Sequence, residues 1–135
     1  MCLHDEVLEW DADRLRLRSA GHRSPQHPLR SRGRLHALHL CEYGAQAMAV
    51  HGGLLARDLG QVAAPGLLVS LRQIELHCAR IDLLDDDLIT RAERLLDNGS
   101  SWQYSFSIEH RGLLLASGRA AVMLRPPAQT VKELP

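Results

Sequence analysis

The chain has 135 residues, enough for one domain with a real core, and its sixteen basic residues balance sixteen acidic ones. Zero net charge with only two Trp, two Tyr and one Phe gives no support for a nucleic-acid groove with stacking platforms. Three widely spaced cysteines, Cys2, Cys41 and Cys78, form neither a disulfide framework nor a zinc spacing. Together with the absence of a charged segment leading into an apolar one at the start, this predicts a cytoplasmic protein.

In chain order, Val7–Trp10 and Leu15–Ala20 read as strands joined by Asp11-Ala12-Asp13, because Leu15 and Leu17 alternate with Arg14, Arg16 and Arg18 at the period of a half-buried strand. An irregular stretch, Gly21–Gly33, contains Pro25 and Pro28. The region from Arg14 to Arg34 is locally basic; solvated surface is its usual reading, and contact with an acidic partner is the alternative.

Leu35–Ala56 reads as a helix on the three-, four- and seven-residue steps of Leu38, Cys41, Ala45, Met48, Leu55 and Leu59. Gly44, Gly52 and Gly53 each weaken it by about 1 kcal/mol relative to Ala unless close packing on a sheet offsets the loss. Three histidines, Glu42 and Gln46 argue against a membrane span. Glu42 is the only formally charged residue between Arg34 and Arg57. A helix apolar on nearly all sides belongs in an interior, where an ionised carboxylate is costly without a partner or a task. The competing reading is a carboxylate that ties the helix to a strand Arg or a backbone N–H.

After the helix, Leu67–Ile81 holds a long strand and Asp82–Asp87 an acidic turn. Leu88–Leu96 is the next strand, although Arg-Ala-Glu-Arg-Leu-Leu read alone would make a helix. Asn98-Gly99 is a strong turn signal. Trp102, Tyr104, Phe106 and Ile108 then alternate with polar residues as core sheet. Arg111-Gly112 turns again, and Leu113–Leu124 is the last strand. The expected organisation is a single domain over residues 1–125 and a fraying tail over 126–135.

Five or six antiparallel strands beside one long apolar helix predict an α+β fold with a curved sheet wrapped around that helix. The stretches His27-Pro28-Leu29 and Glu42-Tyr43-Gly44-Ala45-Gln46-Ala47 resemble the active-site loop and helix start of the hotdog-fold 3-hydroxyacyl-carrier-protein dehydratases, in the branch of the aryl-polyene and xanthomonadin-type pigment clusters. Met1 to Leu8 is similar to the family's opening strand, with His4 where a leucine usually stands, and Gly118-Arg119 sits in a similar last strand. Pro25-Gln26-His27-Pro28-Leu29 reproduces the loop motif only in part, and Leu35-His36-Ala37 replaces a Pro-Gly.

The resemblance implies elimination of water from 3-hydroxyacyl thioesters held on the phosphopantetheine of an acyl carrier protein, with no other cofactor. It puts Glu42 in the position of the acid that protonates the departing hydroxyl and His27 in that of the base for the C2 proton. Gln46 and Tyr43, with His36 and His39, are the substrate-binding candidates, and His36 and His39 are alternatives for the catalytic histidine. The implied partners are an acyl carrier protein, met through Arg30, Arg32 and Arg34 of the basic loop, and a second hotdog subunit, identical or not. A catalytically weak subunit and a thioesterase, whose helix carboxylate would activate water without a nearby histidine, are the alternatives.

Elsewhere, His51 reads as a core histidine, Cys41 as a small buried hydrophobe, and His22, His77 and His110 as surface. No metal site is expected; His36, His39 and Glu42 match ligand spacing only loosely.

Overall fold

The computed structural model describes residues 3–61 and 66–124. The strands are β1 (Glu6–Trp10), β2 (Arg14–Ser19), β3 (Gly66–Leu76), β4 (Leu88–Asp97), β5 (Ser101–His110) and β6 (Leu113–Leu124). The helix α1 (Leu40–Asp58) lies between β2 and β3 in sequence. All strands pair antiparallel in the order β1-β2-β4-β5-β6-β3, so β1 and β3 are the two edges. The chain thus leaves β2 near one edge, crosses the sheet as α1 and returns as the opposite edge. The expected tail at 126–135 lies outside the described residues.

The strand pattern is the one the alternation predicts. Tyr104, Phe106 and Ile108 are buried and Trp102 is half-buried, while β2 turns Leu15 and Leu17 inward. β4 is a strand despite its helix-like composition, because Leu88, Thr90 and Ala92 at alternate positions are buried while its backbone pairs with β2 and β5. Tertiary pairing here overrides local propensity. Arg111 and Gly112 both have positive φ, 51° and 79°, as a two-residue hairpin turn of the primed kind requires. The side chain of Asn98 accepts the Ser101 N–H at 2.8 Å, closing the other predicted turn. β3 is shorter than expected and ends at Leu76. Residues 79–81 instead pair with 35–37, through Ala37 N–H to Ala79 O and Ile81 N–H to Leu35 O, both at 2.9 Å.

That pairing also moves the helix start. A 3-10 turn, Ala37–His39, precedes α1, capped by His36, whose Nδ1 accepts the Leu38 N–H at 2.9 Å. The buried face of α1 is Leu40, Tyr43, Gly44, Ala47, Met48 and His51, not the predicted seam. Of that seam only Met48 is buried, and its ends Leu38 and Leu59 are 58% and 71% exposed. The reason lies in Phe106. A Cβ on Gly44 would meet its ring at 2.6 Å, so the helix turns its smallest residue to the sheet's largest buried apolar ring. A Cβ on Gly118 of β6 would meet the same ring at 2.9 Å, leaving Phe106 held from both sides. Two core clusters result, one around Leu40, Tyr43 and Phe106 at the start of α1, the other around Met48, Leu17 and Tyr104 further along.

Histidines are used as neutral polar core residues. His51 donates from Nε2 to the Asp11 carbonyl at 2.9 Å and accepts the Tyr104 hydroxyl at Nδ1 at 2.7 Å. His4 donates from Nε2 to the Tyr43 carbonyl and accepts the Ser19 hydroxyl, both at 2.8 Å. His22, read from sequence as surface, is fully buried and donates to the Leu84 carbonyl at 3.0 Å, because the turn Gly21–Arg23 is tucked beneath the β3–β4 connection. His110 is also largely covered, 3.4 Å from Asp85, whereas His77 is exposed as expected.

Two predictions follow from this packing. Gly44→Ala gains helix propensity but overpacks a ring with no free side, so it is expected to destabilise by about 1–2 kcal/mol, whereas Gly53→Ala, with nothing within 4 Å, should stabilise by up to about 1 kcal/mol. Urea denaturation of the two variants reads opposite signs if the contact is as described. Burial pulls His4, His22, His27 and His51 below the usual histidine range, so below pH about 6.5 the unfolded chain binds protons that the folded one refuses. Stability should therefore be flat at neutral pH and fall on acidification by up to about 1.4 kcal/mol per pH unit per histidine. A urea midpoint equal at pH 7.5 and pH 5 would contradict this assignment.

Candidate active site

The loop from His22 to Gly33 is folded around one guanidinium. Arg30 donates to the carbonyls of Ser24 and Gly33 at 2.6 Å and of His22 at 3.1 Å, and its side chain is 13% exposed. The loop is tied to the β3–β4 connection by Asp82, a residue that the sequence leaves in an undifferentiated acidic turn. Its carboxylate is 2% exposed and accepts the Leu35 N–H and the Arg80 Nε–H, both at 2.9 Å, with Arg30 at 3.9 Å. The Arg80 bonds hold that carboxyl well below the usual carboxylate range. No sequence pattern distinguishes Asp82 from Asp85, Asp86 and Asp87, since the distinction is made by a partner 47 residues away.

This anchoring places His27 against the first turn of α1. His27 Nδ1 accepts the Leu29 N–H at 3.1 Å, which fixes the neutral ring with its proton on Nε2, and Nε2 donates to the Tyr43 hydroxyl at 3.2 Å. The ring is 8% exposed, and burial, then Arg30, then His39, lower its pKa. Tyr43 is fully buried and its hydroxyl is pushed up to about 12, first by burial. His27 and Tyr43 are therefore neutral partners with no nitrogen lone pair left open.

Glu42 stands elsewhere. The expectation of a buried carboxylate is corrected: its side chain is 48% exposed, because α1 buries Leu40, Tyr43 and Gly44 and so turns position 42 away from the sheet. It lies in the first turn, where the helix N-terminus favours negative charge. His39 Nδ1 is 4.0 Å from its Oε1, on a ring 31% exposed. Gln46, expected on the same face, uses Oε1 to accept the Leu3 N–H at 2.8 Å and so fastens the start of the chain to the helix. His36 is exposed and committed to its cap. Cys41 is half-buried with its thiol pushed up by burial and by Glu42, the opposite of an activated nucleophile.

The site residues thus form two adjoining pairs, His27 with Tyr43 inside and His39 with Glu42 outside. Among the described residues no three His, Cys, Asp or Glu side chains converge as metal ligands would, and no helix is long and apolar enough to cross a membrane. A cavity of about 530 Å³ lies across β1, β2, β4 and β5, lined by Glu9, Arg16, Arg91 and Ser107 among others and by neither pair.

Comparison with solved structures places this geometry in a known fold. The chain superposes on the dehydratase heterocomplex ApeI:P from Xenorhabdus doucetiae with a TM-score of 0.83 at 17% identity, covering 97% of this chain and 88% of that one. The thioesterase enzyme SAV0944 from Staphylococcus aureus gives 0.68 at 14%, covering 90% and 93%. Zebra fish thioesterase superfamily member 2 gives 0.65 at 19%, covering 89% and 80%. These identities establish the hotdog fold alone, with its curved six-stranded sheet around one long helix. No curated protein matches the sequence. The family comparison is more specific, because the ApeP dehydratase pattern matches residues 1–133, and the chain belongs to the ApeP-like family.

Proposed function

We propose that this protein dehydrates 3-hydroxyacyl thioesters carried on the phosphopantetheine of an acyl carrier protein, giving 2-enoyl thioesters for fatty-acid-like or polyene pigment synthesis. The observation that carries the reading is Glu42, an accessible carboxylate in the first turn of the central helix with an imidazole beside it. Elimination needs both an acid and a base, whereas hydrolysis by a carboxylate-activated water needs no second proton carrier. Glu42 is the group that delivers a proton to the departing C3 hydroxyl. The positive end of the α1 dipole favours the enolate-like charge that develops beside its first turn.

A single chain leaves this site half open, since Glu42 is exposed and β3 has an unpaired edge. A second hotdog subunit along that edge completes the cover, as a homodimer or as a heteromer. The likeness to a dehydratase heterocomplex supports the heteromer. In that arrangement a weak or inactive chain on its own becomes competent with its partner. For carrier docking the basic loop contributes Arg32 and Arg34, which are exposed; Arg30 is spent on the loop's own carbonyls and leaves the set.

Purified protein, alone and with a candidate partner subunit, is expected to remove water from a 3-hydroxyacyl-carrier-protein thioester, read by mass spectrometry, and Glu42→Gln to lower that rate by about 100-fold or more. Thioester hydrolysis without water loss would assign the chain to the thioesterases instead. Arg32→Glu with Arg34→Glu should raise KM for carrier-linked substrate by about 10-fold at low salt, with little change at high salt. An unchanged KM would remove the loop from docking.

A further inference from the structure

We propose that the loop carrying His27, residues 21–33, is held closed by a buried histidine that cannot take up a proton in place, so that mild acid releases the loop while helix and sheet stay folded. The anchor is His22. It is fully buried, its Nε2 donates to the Leu84 carbonyl at 3.0 Å, and its Nδ1 is buried without a hydrogen-bond partner among the described residues. Arg30 grips the His22 carbonyl at 3.1 Å as well as those of Ser24 and Gly33, so the loop moves with this anchor. A second tie at this end is Arg23, which donates to the Asp85 carbonyl at 3.0 Å and to Asp87 at 3.1 Å. That side chain is 44% exposed, and an exposed pair holds little. Asp82 accepts the Leu35 N–H just beyond the loop and keeps the far end in place.

The core histidines are built differently. Nδ1 of His4 faces the Ser19 hydroxyl and Nδ1 of His51 the Tyr104 hydroxyl, and each hydroxyl can turn from donor to acceptor when the ring is protonated. Among the described residues His22 Nδ1 has no such group. A proton added there would make a buried charged donor with nothing to accept it. Burial, then Arg23 of the same turn and His110 of β5, hold the ring below the usual histidine range. Asp87 opposes them but is engaged by Arg18 of β2 and by Arg23. Asp85 lies against His110 and Arg111, and Asp5 accepts the Ala20 N–H. Release returns His22 to its ordinary value of about 6.5. The closed loop is therefore indifferent to pH above about 7, and each pH unit below about 6.5 favours release by up to about 10-fold.

Amide hydrogen exchange reads the opening without any substrate, so its result is independent of the dehydratase reading. The reporters are the amides of Ser24, His27 and Arg30, each bonded inside the loop to the carbonyl three residues earlier. Amides of β5, a strand paired on both sides, are the reference. From pH 7 to pH 5, corrected for intrinsic exchange, the loop amides should lose protection reversibly by about 10-fold or more, with β5 the better protected at both. His22→Gln keeps a donor for the Leu84 carbonyl but cannot titrate, so it should remove about 10-fold of that loss. An equal loss in variant and wild type overturns the proposal. So does an NMR titration of the wild-type His22 ring that leaves the loop amides unperturbed, a reading that stands even if His22→Gln does not fold.

Discussion

The approach of the helix to the sheet at Phe106 sets the geometry of everything around it. The ring is wedged between Gly44 of α1 and Gly118 of β6, neither of which has room for a Cβ. Such contacts are felt at the level of one methylene, because a packed interior does not yield. With Gly44 turned to the sheet, Glu42 must point away from it, since two helical steps of about 100° carry it to nearly the opposite side. The accessible carboxylate is thus a consequence of core packing.

The second constraint is the tie between this loop and the β3–β4 connection. Asp82 and Arg30 together convert a segment with two prolines and seven exposed positions into a fixed platform. Both charges are largely buried, and each is used up in hydrogen bonds to backbone or to an opposite charge, the condition under which buried ions are tolerated. Their role is to decide where His27 sits. The basic run that looks like a docking surface in sequence is therefore divided, with Arg30 internal and Arg32 and Arg34 outside.

Histidine serves two purposes in this chain. His4, His22, His27 and His51 are neutral connectors, each with the tautomer chosen by a carbonyl or an N–H that faces it. His39 sits on the outside of the helix start beside a carboxyl group. Composition reports eight histidines without distinguishing these uses. Burial and the identity of the facing atom distinguish them.

By itself the sequence determined the strands, the turns at Asn98-Gly99 and Arg111-Gly112, the single helix and the family, because each depends on local alternation, local turn chemistry or a contiguous motif. Only the tertiary structure decided which face of the helix is buried. The apolar and small residues of Leu35–Ala56 surround most of the helix, so periodicity offers several nearly equivalent seams, and one aromatic ring on β5 selects among them. The same selection turned Glu42 outward, where the sequence implied an interior charge. The burial of His22 and the role of Asp82 were equally out of reach, since both rest on partners 47 to 62 residues distant along the chain. Local patterns encode which element forms, and long-range packing decides which side of it faces the chemistry.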